Sequence, residues 1–204
     1  MATRIGVSNF HFAEMTTEDT LTTKPTYGTP VSAPGLMSLN INPNSSLDTL
    51  FADDGPFETA ATLGKIEVEI QKNYLSTSEK AALLGKSIDS NGGLVHSSTD
   101  TPPWVAVGFK SLKSNGKYRY CWLYKGKFQD PEDNNETKSD SINWQSDTIT
   151  GNFVCLAYEM SIKNSAGSTE KKRPFKYDMD EDDAAASKSV IESWFNAVVF
   201  PATS

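Results

Sequence analysis

Side chains that could do hydrolytic chemistry occur together in a Ser/Thr-rich segment. His96, Ser97, Ser98 and Asp100 supply the residue types of a nucleophile, a general base and an acid that orients the base. A catalytic triad is assembled in space from distant parts of a chain. These four residues are instead near neighbours on one predicted loop, so the segment does not predict a hydrolase.

A second candidate is the acidic run from Asp178 to Asp183, which has enough carboxylates for a calcium-binding loop. An EF-hand loop requires glycine at its sixth position and a bidentate glutamate at its twelfth. Here those positions hold Asp183 and Ser189. We instead expect these acids to precede a helix and to complement the positive end of its dipole.

The remaining motifs of known chemistry are missing from the sequence. It has no H-E-x-x-H, no cysteine pair at zinc spacing, no G-x-S-x-G and no glycine-rich phosphate loop. Cys121 and Cys155 lie in apolar, strand-like runs and are expected to be buried free thiols. We therefore predict no catalytic residue, no cofactor and no metal site, and a protein that is not an enzyme.

One stretch, Lys110 to Phe128, has the composition of a nucleic-acid platform, with six basic residues, five aromatic residues and no acid. The whole chain has 204 residues, a net charge of -7 and a pI of about 4.9. Without the six charges of this stretch, the remainder carries -13 (-7 minus 6). An acidic chain is not expected to coat nucleic acid, so the basic stretch needs another explanation.

The turn within this stretch predicts how its side chains are sorted. Asn115-Gly116 favours a two-residue type I′ turn, which would pair Ser114 with Lys117 and place Phe109 opposite Trp122. Because side chains alternate along a strand, rings and cations would then occupy opposite faces. The predicted core face contains Val105, Val107, Phe109, Tyr120, Trp122 and Tyr124. The other face contains Lys110, Leu112, Lys117, Arg119, Cys121, Leu123, Lys125 and Lys127.

A single-strand binder needs rings and cations on the same surface, so this sorting argues against nucleic-acid binding. We expect the rings of Tyr120, Trp122 and Tyr124 to be core. Two interpretations of the basic face remain open. It is either a solvated sheet face or a face that meets a negatively charged neighbour.

Strands dominate the elements that would position these residues. The segment KIEVEIQ, from Lys65 to Gln71, alternates strictly between apolar and acidic residues, as in a half-buried antiparallel strand. Further strands are predicted at Leu36–Ile41 and Phe153–Ile162, and Ile5–Phe12 is expected to open the sheet. Turn residues recur about every ten positions, which is typical of sandwiches and barrels.

Two helices are predicted beside the sheet. In STSEKAALLG, Ser76 and Glu79 have capping-box spacing and Gly85 can end the helix. In DDAAASKSVIESWFN, the apolar residues form a helical stripe. We therefore predict a mainly β fold, an antiparallel β-sandwich or partial barrel flanked by one or two α-helices. The acidic segments QDPEDNNETKSD and Phe51–Gly64 are predicted to be loops.

The order of features resembles one known family. The sequence has IGVSNFHFAEM at its start, then FETAATLGKIEVEI, a short helix ending in AALLG, and DSNGG. It continues with PPWVAVGFKS, YRYCWLYKGKF and ITGNF. From about Ile5 to Phe195 this resembles the major tail protein, or tail tube protein, of bacteriophages with long, flexible, non-contractile tails. These motifs are patterns of packing and turns, and they specify the family by order and spacing.

The resemblance implies a structural virion protein with a single tail tube domain, residues 1–204, and linking segments at both termini. No immunoglobulin-like domain is expected after it. Six subunits would form a ring, and stacked rings would form the tube through which DNA is delivered. The implied partners are copies of the chain, tail terminator and tail tip proteins, and a tape measure protein in the lumen. DNA would pass transiently without specific binding, and no membrane is involved.

The resemblance also implies where subunits meet. A long loop between early strands reaches the adjacent ring in such proteins, and Phe51–Gly64 is the match here. The expected inter-ring residues are Asp53, Asp54, Gly55, Pro56, Phe57 and Glu58. Because a basic channel would hold DNA through its phosphates, we expect a mostly negative lumen. An inter-subunit or outward-facing basic face would contain Lys110, Lys117, Arg119, Lys125 and Lys127.

An alternative function is a β-sandwich binding module of a tail tip, baseplate or cell-surface attachment protein that recognises carbohydrate. Exposed aromatic residues would favour it, and Trp144 lies in the polar segment SINWQSD. We expect Trp144 to pack within an edge strand instead. The N-terminus lacks the apolar core of a signal peptide, so synthesis in the host cytoplasm is expected, followed by assembly into the virion.

Overall fold

The computed structural model describes residues 2–52, 55–133, 136–137, 144–164 and 167–202. Most of the described chain is antiparallel sheet, joined by two short helices. The strands are β1 Arg4–Thr17, β2 Thr26–Tyr27, β3 Val31–Ser32, β4 Leu36–Ala52, β5 Gly55–Lys72, β6 Ser87–Ile88, β7 Leu94–Val95, β8 Val105–Lys113, β9 Tyr118–Phe128, β10 Asp147–Val154, β11 Met160–Lys163, β12 Thr169–Lys172 and β13 Lys176–Asp180. The helices are α1 Thr77–Leu84 and α2 Lys188–Glu192.

The large sheet has the strand order β2-β1-β8-β9-β10-β5-β4. In addition, β3 pairs with β1 and β13 pairs with β9. One apolar cluster collects residues from β1, β5, β8, β9 and β10, which requires the sheet to curl around it. The strands β1 and β4 face each other across a cleft of about 800 Å³, lined by Val7 and Leu39 among others. The predicted mainly β, antiparallel fold is confirmed.

The predicted alternation of β5 is confirmed. Ile66, Val68 and Ile70 are buried, whereas Glu67 and Glu69 between them are exposed. A half-buried strand requires this pattern, since one face of the sheet meets the core and the other meets water. The predicted strands at Leu36–Ile41 and Ile5–Phe12 are also present, as parts of β4 and β1. The predicted Phe153–Ile162 strand is wrong in its extent, because β10 ends at Val154 and β11 begins at Met160.

The predicted register of the β8–β9 hairpin is wrong by one residue. The loop has three residues, closed by a hydrogen bond from the Lys113 amide to the Lys117 carbonyl, with Gly116 at a φ of 80°. Three-residue hairpin loops commonly end in a left-handed residue, and Gly116 meets that need. As a result Phe109 lies opposite Cys121, and Trp122 lies opposite Gly108.

This shift moves side chains to opposite faces, because the side-chain period of a strand is two. Val107, Phe109, Cys121 and Leu123 pack in the cluster inside the curled sheet. Trp122 and Tyr124 pack in a second cluster, against Ala106, Leu156 and Trp194. The expected slab combining Val105, Val107 and Phe109 with the three rings is therefore wrong. Both faces of the hairpin are therefore covered by protein away from the turn, whereas the residues next to the turn are only partly buried.

Helix α1 forms as predicted. The Glu79 amide donates to Ser76 Oγ, the Ser76 amide donates to the Glu79 carboxylate, and Gly85 ends the helix with a φ of 68°. The Glu79 carboxylate also forms a buried ion pair with Lys72 at 2.6 Å. The capping box therefore fixes both the start of the helix and its attachment to β5.

The second helix is shorter than predicted. Helix α2 covers only Lys188–Glu192, because the acids before it run on as strand β13 and a turn. The apolar stripe still reaches the core, since Trp194 is fully buried and Val190 and Phe195 pack against the second cluster. Tertiary pairing has overridden the local helical pattern here.

A substitution at the Gly108–Trp122 contact tests the observed register. A Cβ at Gly108 would lie 2.8 Å from the Trp122 ring. We expect Gly108→Ala to lower the free energy of unfolding by about 1–3 kcal/mol through overpacking, measured by urea denaturation. The control is Gly6→Ala, where the nearest heavy atom is 3.9 Å away. Equal stability of the two variants would contradict the register.

Candidate assembly surfaces

The basic stretch of the hairpin faces an acidic strand of the same subunit. Strand β13 runs antiparallel to β9, with Asp178 opposite Cys121 and Asp180 opposite Arg119. Arg119 donates to the Asp178 carboxylate, with Nε at 2.8 Å from Oδ2. Lys117 Nζ lies 3.0 Å from Glu181 Oε1. Two distant, oppositely charged segments of the sequence are thereby paired along adjacent strands.

Lys113 completes this pairing from β8. Its ammonium lies 2.6 Å from Asp182 Oδ2 and 3.2 Å from Asp180 Oδ1. The hydrogen bond to Asp182, the largest influence, raises the pKa of Lys113. The reciprocal hydrogen bond lowers the pKa of the Asp182 carboxyl. The expectation that the acids of residues 178–183 complement a helix dipole is therefore wrong: four of them bind the cations of the hairpin.

The five residues of the predicted basic face do not share one face. Arg119 lines the cleft between β1 and β4, together with Cys121. Lys125 and Lys127 lie over the Trp104 ring, with Nζ at 4.7 Å and 4.8 Å from its centroid, and Lys110 lies 4.3 Å from the centroid of Tyr118. The register shift, together with an irregularity in pairing between Val105 and Val107, explains why the predicted sorting of Lys110, Lys117, Arg119, Lys125 and Lys127 is wrong. Their role between subunits stays a prediction.

Lys125 is held by carboxylates that follow β1. Its ammonium lies 2.6 Å from Asp19 Oδ1 and 2.9 Å from Glu18 Oε1. The Asp19 side chain is fully buried and also accepts hydrogen bonds from the amides of Ala157 and Tyr158. Burial alone would raise the pKa of Asp19, but the hydrogen bonds from Lys125 and from these amides outweigh it and lower the pKa. Asp19 thus joins three separate segments of the fold.

The rings of the basic stretch are covered by the C-terminal segment. Trp122 Nε1 donates to the Trp194 carbonyl at 3.0 Å, and the Tyr124 hydroxyl donates to the Val199 carbonyl at 3.0 Å. Phe200 stacks on Tyr124 with ring centroids 5.0 Å apart. The prediction of core rings is confirmed for Trp122 and Tyr124, and neither is available to stack on a base. Tyr120 is only partly buried and packs at the edge of the second cluster.

The segment Phe51–Gly64, predicted to be a loop, is mostly strand. It belongs to a hairpin in which β4 and β5 pair from Ser45 opposite Leu63 to Ala52 opposite Gly55. We call residues 43–64 the arm. Asp53 and Asp54 lie outside the described residues, and Gly55, Pro56, Phe57 and Glu58 lie in β5.

The arm extends beyond the core. Residues 42–49 and 60–65 are all exposed, and Leu47 has 74% of its surface accessible. Register places Leu47 opposite Ala61, two positions from Leu63, which is 46% exposed. A two-stranded ribbon is at best marginally stable on its own in water, and the described part of the arm exposes an apolar row to solvent in the isolated subunit.

The residues considered for catalysis have structural partners. His96 Nδ1 lies 2.6 Å from Lys86 Nζ, and the Asp100 carboxylate accepts a hydrogen bond from the Ser97 amide. Cys121 is buried, and burial raises its pKa to about 12. Cys155 is exposed, so its predicted burial is wrong; it follows the last residue of β10. Within the described ranges, no cluster of three or more His, Cys, Asp or Glu side chains could hold a metal ion.

A comparison with protein families identifies the family of this chain. The family model described as phage tail tube protein matches residues 11–198. The chain belongs to the phage tail tube protein family, and its class is that of structural proteins of the virion tail. No curated protein matches the chain. In the part of the chain that is described, no helix has the length and apolarity to cross a membrane.

Removing the acids beside the hairpin should create affinity for DNA. We expect the variant Asp180→Asn/Glu181→Gln/Asp182→Asn to bind duplex DNA at low salt, because Lys113 and Lys117 lose their carboxylate partners. Phosphate contacts weaken steeply with salt, so binding should disappear near physiological ionic strength. Fluorescence anisotropy with a labelled duplex measures this. Comparable binding by the wild-type protein would contradict the neutralisation of the hairpin.

The Asp19–Lys125 pair makes a prediction about stability. Asp19→Asn should lower the free energy of unfolding by about 3 kcal/mol at pH 7, because a buried ammonium loses a charged partner. The matched control is Glu18→Gln, whose side chain is 61% exposed and whose loss should cost under about 1 kcal/mol.

The stability difference between wild type and Asp19→Asn should depend on pH, because the pKa of Asp19 is lowered in the folded state. The stabilisation is fully present above the ordinary value of 3.8 and is lost as the pH falls through the lower pKa of the folded state. Urea denaturation from pH 7 to pH 3 measures it. A difference between wild type and Asp19→Asn that stays constant over this range would contradict the assignment.

Proposed function

We propose that this tail tube protein forms six-subunit rings that stack into the tube through which the phage genome is delivered. Membership of the tail tube family supports the structural role. The observation that carries the proposal is the exposed arm. From Pro43 to Ala52 it extends about 30 Å at ~3.4 Å per residue, without core contacts in its described part.

We propose that the arm links subunits of successive rings, through Asp53, Asp54, Gly55, Pro56, Phe57 and Glu58. The exposed row of Leu47 and Leu63 would be buried there, and obligate interfaces commonly bury ~2,000 Å² or more. The single domain of residues 1–204 would also use its N- and C-terminal segments in linkage. Tail terminator and tail tip proteins would cap the stack.

The charge arrangement supports a channel that DNA passes without being held. The net charge is -7, and the most basic stretch is paired with carboxylates of the same subunit. We propose a mostly negative lumen that repels the phosphate backbone and accommodates a tape measure protein before delivery. Lys110 and Lys127, which lie against aromatic rings, would face a neighbouring subunit or the outside of the tube.

Assembly of the purified protein tests the proposed function. At rising concentration, negative-stain microscopy should reveal sixfold rings or tubes. Hydrogen exchange should be fast in the arm of the free subunit and should slow by more than tenfold on assembly, since backbone amides become protected when a segment is docked. A protein that remains monomeric at all concentrations would contradict the proposal.

The alternative, a carbohydrate-binding module, has one observation in its favour. Trp144 is 87% exposed and outside any strand, so its predicted packing in an edge strand is wrong. Tyr74 is 62% exposed and lines a neighbouring cleft of about 550 Å³ with Gln145 and Asp147. Ring faces beside polar side chains suit sugars.

A glycan array separates the two functions. Binding by a lasting monomer, abolished by Trp144→Ala, would support the module. For the tube subunit, we expect no glycan binding and unchanged assembly of Trp144→Ala.

A further inference from the structure

A second basic segment of the chain lies outside the large sheet. Strands β11 and β12 form a separate two-stranded sheet, and every residue of β12 is exposed. We call residues 159–173 the basic hairpin. The side chains of Lys171, Lys172 and Arg173 are 73%, 61% and 51% exposed, so they are accessible to a partner.

The cations of the basic hairpin are only partly neutralised. The segment contains four cations and two acids, which gives it a net charge of +2 (4 minus 2) in a chain of net charge -7. The cations are Lys163, Lys171, Lys172 and Arg173, and the acids are Glu159 and Glu170. Glu159 lies 4.0 Å from Lys171 and 3.5 Å from Arg173, and Glu170 lies 2.8 Å from Lys172. Exposed pairs of this kind contribute little. The basic hairpin therefore keeps its capacity for a partner, unlike the β8–β9 hairpin.

The arm has the opposite charge. Residues 43–64 contain Asp48, Asp53, Asp54 and Glu58 and no Lys or Arg. Asp48 is exposed and lies opposite Ala60 in the ribbon. Charge of one sign on a projecting ribbon selects a partner of the other sign and disfavours contact with a second acidic arm.

The arm and the basic hairpin leave the large sheet from the same end. Ile66, at the root of the arm, lies opposite Phe153, and β10 ends one residue later at Val154. The basic hairpin begins at Glu159, only five residues further along the chain. None of the ion pairs between described residues joins the two segments. A rotation axis parallel to the strands would therefore keep the two segments at the same height in neighbouring subunits.

We propose that the acidic arm of one subunit docks against the basic hairpin of a second copy of the chain. Two different, complementary patches on one chain make a heterologous contact, and such a contact closes into a ring or continues as a filament. The docking uses the face of the ribbon that contains Asp48. Because side chains alternate along a strand, Leu47 lies on the opposite face, and that face and the tip remain available to the next ring. This inference rests on the proposed tube function and names the surfaces that assemble it.

Single charge reversals with matched controls test this docking. The variants are Asp48→Lys in the arm, Lys171→Glu in the basic hairpin, and the double variant that carries both. Helix α2 supplies controls of the same charge change at exposed positions, Glu192→Lys and Lys188→Glu. The measurement is the protein concentration at half-assembly, by light scattering and negative-stain microscopy at fixed salt.

Each single reversal in the interface should raise this concentration about tenfold, because like charges meet in two contacts per subunit. The double variant restores opposite charges, so its concentration at half-assembly should return to within about threefold of the wild-type value. Such a return also excludes misfolding as the cause of the defect in the single variants. The two controls should match wild type. Carbodiimide cross-linking of mixed ¹⁴N and ¹⁵N wild-type protein should join the Asp48 and Lys171 peptides of different subunits.

The possible failures are distinguishable. If wild-type protein never assembles, the tube function itself fails. If wild-type protein assembles and both single reversals assemble at the same concentration, the docking is overturned while the tube function stands. If Lys171→Glu instead abolishes binding of duplex DNA and leaves assembly unchanged, the hairpin binds nucleic acid and the docking is likewise overturned.

Discussion

The pairing of β13 with β9 determines how this molecule presents its charge. It sets Asp178 and Glu181 beside Arg119 and Lys117, so the most basic stretch of the sequence is balanced within its own subunit. Charge-assisted hydrogen bonds of this kind have geometric specificity as well as energy. Without β13, the hairpin would present a row of cations at the sheet surface. With it, Lys113, Lys117 and Arg119 already have carboxylate partners and are less available to phosphate groups.

The register of the β8–β9 hairpin is the second constraint. Because the loop has three residues, Trp122 and Tyr124 point toward the C-terminal segment while Phe109 and Cys121 point into the curled sheet. Trp122 and Tyr124 are thereby buried and cannot stack on a base, whereas Tyr118 and Tyr120 near the turn are only partly buried. For Trp122 and Tyr124, the burial expected from a two-residue turn is present, but through a different arrangement of side chains.

Local patterns were predictable and long-range pairings were not. The alternation of Ile66, Val68 and Ile70 and the capping box of Ser76 and Glu79 depend on neighbouring residues, and both are present. Asn115-Gly116 suits either a two-residue or a three-residue loop, so the turn alone could not fix the register. The acids near residue 180 precede a helix in sequence, but a partner about 60 residues away (Arg119 for Asp178) decides their structure. The described part of the arm has no core to face, so its sequence lacks the apolar alternation of a half-buried strand. For this reason the sequence predicts a loop where the structure has two strands.

The self-assembly and the indifference to DNA that we propose would both follow from one distribution of charge. Lys113, Lys117 and Arg119 have carboxylate partners within the subunit, whereas in our proposal the exposed charges of the arm and of β11–β12 bind other copies. A cryo-EM map of the assembled tube is the most direct test of this distribution. We expect the Arg119–Asp178 and Lys117–Glu181 pairs intact within each subunit, Tyr120 and Trp122 shielded, and carboxylates predominant along the channel. A channel ringed by the side chains of Lys110, Lys117, Arg119, Lys125 and Lys127 would contradict the account.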